Sequence, residues 1–197
     1  MAPVRNPSTT SACALRSAAR GFSLIELMAG ILILFILLAL AAPSFQPIIE
    51  RFRVRQAVEG LQSTLYYARS EAIKRGGNVV VQQLPTGTNG CTSALTGQDW
   101  GCGWFVCADT NGNGSCSAAE PLLQRFDAPT NVDISKTSAG NSISFNRWGL
   151  PSTWLGFNFV AKGKSFLSDP SARIVCMSSA GRVRIGSSED LCNSSSP

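Results

Sequence analysis

One stretch decides most of what this chain can be. Residues 22–42, FSLIELMAGILILFILLALAA, are almost wholly apolar and carry one carboxylate, Glu26. As a helix rising about 1.5 Å per residue, such a run matches the roughly 30 Å hydrocarbon core of a bilayer. Residues 1–20 before it carry Arg5, Arg16 and Arg20 and no acid. The positive flank predicts that they stay cytoplasmic while the remainder is exported. An ordinary secretory signal would share this outline, and Ala39-Leu40-Ala41 supplies an A-x-A cleavage pattern. Glu26 argues against that reading, because a carboxylate in an apolar segment is costly and is kept for function.

Composition narrows the chemistry. With 197 residues the chain holds one domain plus appendages, and 15% charged residues is too few for a disordered polyelectrolyte. It contains no His, which removes Ser-His-Asp and Cys-His catalysis, HExxH metal sites and zinc-finger spacing together. No catalytic constellation forms around its few acids, so an enzyme is not expected. The 7 Cys are an odd number, and the 17 bases outnumber the 12 acids.

Beyond Pro43 and Pro47, which should kink or break the helix, a helical pattern resumes. Val54, Val58, Leu61, Leu65, Ala68 and Ala72 recur at spacings of three and four, one apolar stripe. Arg55/Glu59 and Glu71/Arg75 are i,i+4 pairs expected on the solvated side. Arg51, Arg53 and Arg55 read as a solvated helix face near the membrane surface, in preference to an anion site. Gly76-Gly77 predicts the helix end. Short apolar or alternating runs then follow at 79–81, 104–107, 122–126, 143–145, 157–160, 174–176 and 183–185. Residues 85–99 read as a long loop and the tail after 186 as tethered only by Cys192.

Three segments resemble a known family. Gly21-Phe22-Ser23-Leu24-Ile25-Glu26-Leu27 is similar to the class III signal of type IV pilins and type II secretion pseudopilins. The resemblance implies that a prepilin peptidase cuts between Gly21 and Phe22, that Phe22 is then N-methylated, and that Glu26 pairs with a neighbouring subunit's terminal amine during assembly. Without residues 1–21, the 17 bases become 14 against the same 12 acids, and Cys13 leaves an even set of cysteines. LQSTLYYARSEAIKRGGNVVV (61–81) and GWFVCADTNGNGSCSAAEPLLQRF (103–126) resemble the GspH/FimT family of minor pilins. The implied architecture is α+β and type IV pilin-like, a long N-terminal stalk helix on an antiparallel β-sheet head. Its parts are a prepilin leader peptide (1–21), a transmembrane assembly helix (22–44), an amphipathic stalk helix (45–76) and a periplasmic head (77–197). The implied location is the bacterial inner membrane, then a filament shared with other pilins.

Four further groups of residues bear on function. The six cysteines of the exported part suit an oxidising compartment and allow 15 pairings. Local closure favours Cys107–Cys116 and Cys176–Cys192, leaving Cys91–Cys102. Asp109, Asn111, Asn113, Gly114, Ser115 and Glu120 fit the register of an EF-hand Ca²⁺ loop, although Asn-Gly steps also suit a β-turn, the preferred reading. Gly181-Arg182-Val183-Arg184 places two arginines on one face of a strand after a turn. Residues 136–197 carry seven bases against three acids, whereas residues 51–135 are balanced. In competence-associated members of the family a GRxR motif here is implicated in DNA binding, and the resemblance assigns Gly181, Arg182 and Arg184 that role, with double-stranded DNA as the expected partner. The alternative is a structural pseudopilin of type II secretion with no DNA role. Trp100, Trp104, Trp148 and Trp154 are expected in the core or between sheets, not as base-stacking platforms.

Overall fold

The computed structural model describes residues 21–41, 45–92, 97–190 and 192. The leader up to Arg20 with Cys13, the Ala42–Ser44 junction, part of the 85–99 loop and the end of the tail lie outside the described residues. The chain divides into two compact units, Met1–Pro43 and Ser44–Pro197.

In the first unit, Ser23 opens helix α1 (Leu24–Ala41), and the Glu26 amide donates to its Oγ at 3.2 Å. That is the N-cap bond that satisfies a first-turn amide. At 18 residues α1 rises about 27 Å. Among the described residues no helix is long and apolar enough to cross a membrane.

The second unit begins with helix α2 (Gln46–Arg75), where Pro47 occupies the first turn and costs no hydrogen bond. The whole predicted stripe is buried, joined by Ala57, Thr64 and Glu71. Glu71 therefore corrects the expectation of a solvated pair. It sits on the buried face and accepts from Lys74 Nζ (2.7 Å) and Arg75 Nε (3.0 Å). The Lys74 bond first and the Arg75 bond second hold its carboxyl below the usual range. Arg55 and Glu59 pair in the open as expected, at 2.8 Å. The helix ends at Gly76-Gly77, whose second amide reaches back to the Ala72 carbonyl at 2.7 Å.

Eight strands follow among the described residues: β1 (Val79–Gln83), β2 (Gly103–Ala108), β3 (Leu122–Asp127), β4 (Val132–Lys136), β5 (Ser142–Phe145), β6 (Leu155–Ala161), β7 (Arg173–Met177) and β8 (Val183–Ser187). They form two four-stranded sheets, β3-β2-β1-β5 and β4-β6-β7-β8, and every pairing is antiparallel. One core joins the inner face of both sheets to the α2 stripe, with Trp100, Trp104, Phe145, Phe157 and Phe159 fully enclosed. Trp104 stacks on Phe126 at 4.5 Å, and its Nε1 donates to Thr64 Oγ1 of α2 at 2.9 Å. The buried indole thus keeps the partner its polar edge requires. Strand β4 alone was not foreseen. Its inward positions are Val132, Ile134 and Lys136, and a lysine in an inward register breaks the apolar alternation.

Candidate functional site

The GRVR segment lies at the β7–β8 hairpin, and β8 is the edge strand of its sheet. Ser178 closes the turn: its amide donates to the Arg182 carbonyl (2.9 Å), and the Gly181 amide donates to the Ser178 carbonyl (2.8 Å). Gly181 has φ +78° and is buried, so what it supplies to the hairpin is the shape of the turn. Arg182 is exposed at the turn's end.

Arg184 does not stand beside it as an equal. Its guanidinium lies 3.5 Å from Asp190, which folds back over the hairpin and accepts from the Ser187 amide at 2.7 Å. That amide, then the Ser187 hydroxyl, hold the Asp190 carboxyl below its usual range, and Arg184 adds to this. Half of the predicted cationic pair is therefore partly neutralised within the fold.

Helix α2 supports the turn through a residue that sequence reasoning missed. Arg69 Nη1 donates to the Gly181 carbonyl at 2.8 Å across 112 residues of chain. A methyl group placed on Gly181 would meet Arg69 Nη1 at 2.9 Å and Leu150 Cδ2 at 3.4 Å. The same arginine supports a second turn, Asn146–Leu150, where a methyl group on Gly149 would fall 2.5 Å from Arg69 Cγ and 3.0 Å from its carbonyl. Asn146 Oδ1 ties that turn together by accepting the Trp148 (3.0 Å) and Leu150 (3.1 Å) amides. The turn thrusts Trp148 outward at 64% exposure, with the Arg147 guanidinium 4.9 Å over its ring. The expectation of a packed tryptophan holds for Trp100 and Trp104 and fails for Trp148.

The Asp/Asn loop does not gather into a metal centre. Asp109 Oδ1 accepts from Gly112 (2.7 Å) and Asn113 (3.1 Å), and Oδ2 accepts from Gly114 (2.8 Å). Glu120 accepts from Thr110 (2.9 Å) through one oxygen and from Ser117 (2.7 Å) through the other. The Ser117 amide is the first cause of its lowered pKa. Asn111 and Asn113 each close a two-residue Asx turn, onto the Asn113 and Ser115 amides. Every carboxylate oxygen thus serves the loop's own amides, as turn chemistry prescribes. No group of three His, Cys, Asp or Glu fit to hold a metal ion is found among the described residues.

Among the described residues Cys91–Cys102, Cys107–Cys116 and Cys176–Cys192 form disulfides, the pairing that local closure favoured. The last ties the tail to β7 beside the hairpin. At the other end of the chain Gly21, Phe22 and Glu26 are all exposed, in the extended entry and first turn of α1.

An N-terminal helix bearing this signal, followed by a helix packed on antiparallel sheets, defines a type IV minor pilin or pseudopilin. Residues 57–181 match the model of the type II transport protein GspH, and residues 16–42 match the prokaryotic N-terminal methylation motif. The chain belongs to the GspH family. The match ends at Gly181, so Arg182 and Arg184 lie beyond it. The pilin-like protein PilA1 of Thermus thermophilus is 28% identical over 172 residues, covering 84% of this chain and 97% of that protein. Crystal structures of the Pseudomonas aeruginosa type IV minor pilin FimU are similar at TM-scores of 0.54 and 0.51, each with 25% identity. The first covers 71% of this chain and 92% of FimU.

Proposed function

We propose that this chain is a minor pilin of a type IV pilus that binds DNA for uptake at the β7–β8 hairpin. In this reading prepilin peptidase cuts between Gly21 and Phe22 and the new terminus is methylated. The segment from Phe22 holds the protein in the bacterial inner membrane, with the head periplasmic, before assembly with other pilins. Glu26 offsets a neighbour's terminal amine there, since each charge alone is costly in lipid. The role is structural and binding, not catalytic. The observation that carries the DNA reading is the exposed Arg182 on an edge hairpin bonded to α2, inside the part of the chain that holds the excess of base. A patch this small neutralises few phosphates and binds weakly and salt-sensitively. Repetition along a filament raises its avidity.

Two measurements test this. Mass spectrometry of the membrane fraction should find N-methylated Phe22 as the first residue; a chain beginning after Ala41 refutes assembly. In fluorescence anisotropy with a labelled duplex, Arg182→Ala should weaken binding more than Arg184→Ala, because Asp190 already engages Arg184. Equal binding by the double variant and wild type refutes the DNA assignment. One observation favours a second reading, a type II secretion pseudopilin: the matching family model carries that description and stops before Arg182. Under that reading no variant changes DNA binding, because wild type shows none.

A further inference from the structure

The two turns held by Arg69 make one surface. Leu150 Cδ2 lies against Gly181, Gly149 lies against the Arg69 stem, and Ile73 Cδ1 comes within 3.0 Å of a methyl group placed on Gly149. That surface presents Arg147, Trp148 and Arg182, all exposed, and neither turn contains an acid. Glu71, two residues along α2 from Arg69, is buried and already bonded to Lys74 and Arg75.

Trp148 is the feature that phosphate binding leaves unexplained. A large indole exposed to water forfeits its burial, and the Trp148 and Leu150 amides bonded to Asn146 Oδ1 hold the backbone of the turn that carries it. One ring face carries the Arg147 guanidinium, which enriches a cation–π stack. The opposite face of such a ring takes a nucleobase, whose π-surface stacks without regard to sequence. Inside duplex DNA both faces of every base are occupied by neighbouring pairs, so the ring takes an unpaired base or one at an end.

We propose that Trp148 is a stacking platform for an unpaired base, so that the site grips single-stranded DNA or a frayed end, with Arg147 and Arg182 on the flanking phosphates. This rests on the DNA-binding reading above and adds to it a strand preference and two residues, Arg147 and Trp148.

The test uses the full chain in detergent micelles, with a labelled oligo(dT) of about 16 nucleotides and a duplex of the same length. Wild type should bind oligo(dT) the more tightly, and binding should quench a component of tryptophan emission that is missing in Trp148→Phe. Trp148→Ala should weaken oligo(dT) binding about five- to a hundredfold and change duplex binding less than about twofold. Trp148→Phe should recover most of the loss. Equal affinity of wild type and Trp148→Ala for oligo(dT), or an equal loss on both ligands, overturns the stacking proposal and leaves the arginine reading standing. No binding of either ligand by wild type overturns both.

Discussion

Replacing Gly181 by alanine tests whether the hairpin is bolted to α2 as described. The residue has φ +78°, where a Cβ costs about 1–2 kcal/mol. The new methyl group also meets Arg69 Nη1 at 2.9 Å, in the place from which that atom donates to the Gly181 carbonyl at 2.8 Å. Displacing a charged donor forfeits about 1–2 kcal/mol at a half-buried site, the low end of its range. The sum is about 2–4 kcal/mol, or a fall in Tm of roughly 5–15 °C for a chain this size. The assay is urea denaturation of the full chain in one detergent, comparing midpoints at constant slope. Arg69→Met supplies the control, because it removes the group that the methyl meets. In that background Gly181→Ala should cost only its backbone part, so the two substitutions combine less than additively by about 1–2 kcal/mol. A Gly181→Ala chain within about 0.5 kcal/mol of wild type, or strict additivity, would show that the turn does not depend on Arg69.

Two other outcomes follow from buried charge. Lys136 is 5% exposed, donates at 3.3 Å to the Gly140 carbonyl and has no carboxylate partner among the described residues. Burial lowers its pKa below 10.5, so the folded state disfavours the proton. The penalty is complete at neutral pH and fades as pH rises through the folded pKa. Lys136→Met should therefore stabilise the head by about 1 kcal/mol at pH 7, with the gain shrinking toward pH 10.5. A gain that grows with pH refutes the sign. The Asp109–Glu120 loop should be indifferent to Ca²⁺ because its own amides occupy the carboxylates. Millimolar Ca²⁺ should leave Tm unchanged, and a rise of several degrees over EDTA would reinstate the calcium register.

The residues that were legible in the sequence share a property: their partners are near in the chain or set by a regular period. The stripe from Val54 to Ala72 obeys the helical period, and all of it is buried. The cysteine pairs span 9, 11 and 16 residues, so local closure alone orders them. The i,i+4 spacing to Arg75 predicts a solvated Glu71, yet it stands three after Ala68 and one before Ala72, inside the apolar arc, and is buried. An i,i+4 spacing identifies a pair without saying which way it looks. Trp148 was misplaced because its hydrophobicity says nothing of the Asn146 side chain that turns it outward. Arg69 could not be found at all. Its importance arises from two turns, near 149 and 181, that only the folded sheets bring to the same helix.

The disulfides carry a consequence for how this head survives in the cell. Each bridge closes a loop or the tail, and none spans from one sheet to the other. Both sheets and the α2 contact can therefore form before any thiol is oxidised, and a short tether makes the correct partner the nearest one. Reduction of the three bridges should leave the core standing while exposing the Cys91–Cys102 loop, the Cys107–Cys116 loop and the chain after β8 to proteases. The tail contains Asp190, so a clipped head would lose the counter-charge on Arg184. The Cys176–Cys192 bridge should thus guard the acid that offsets Arg184, and with it the charge the hairpin presents.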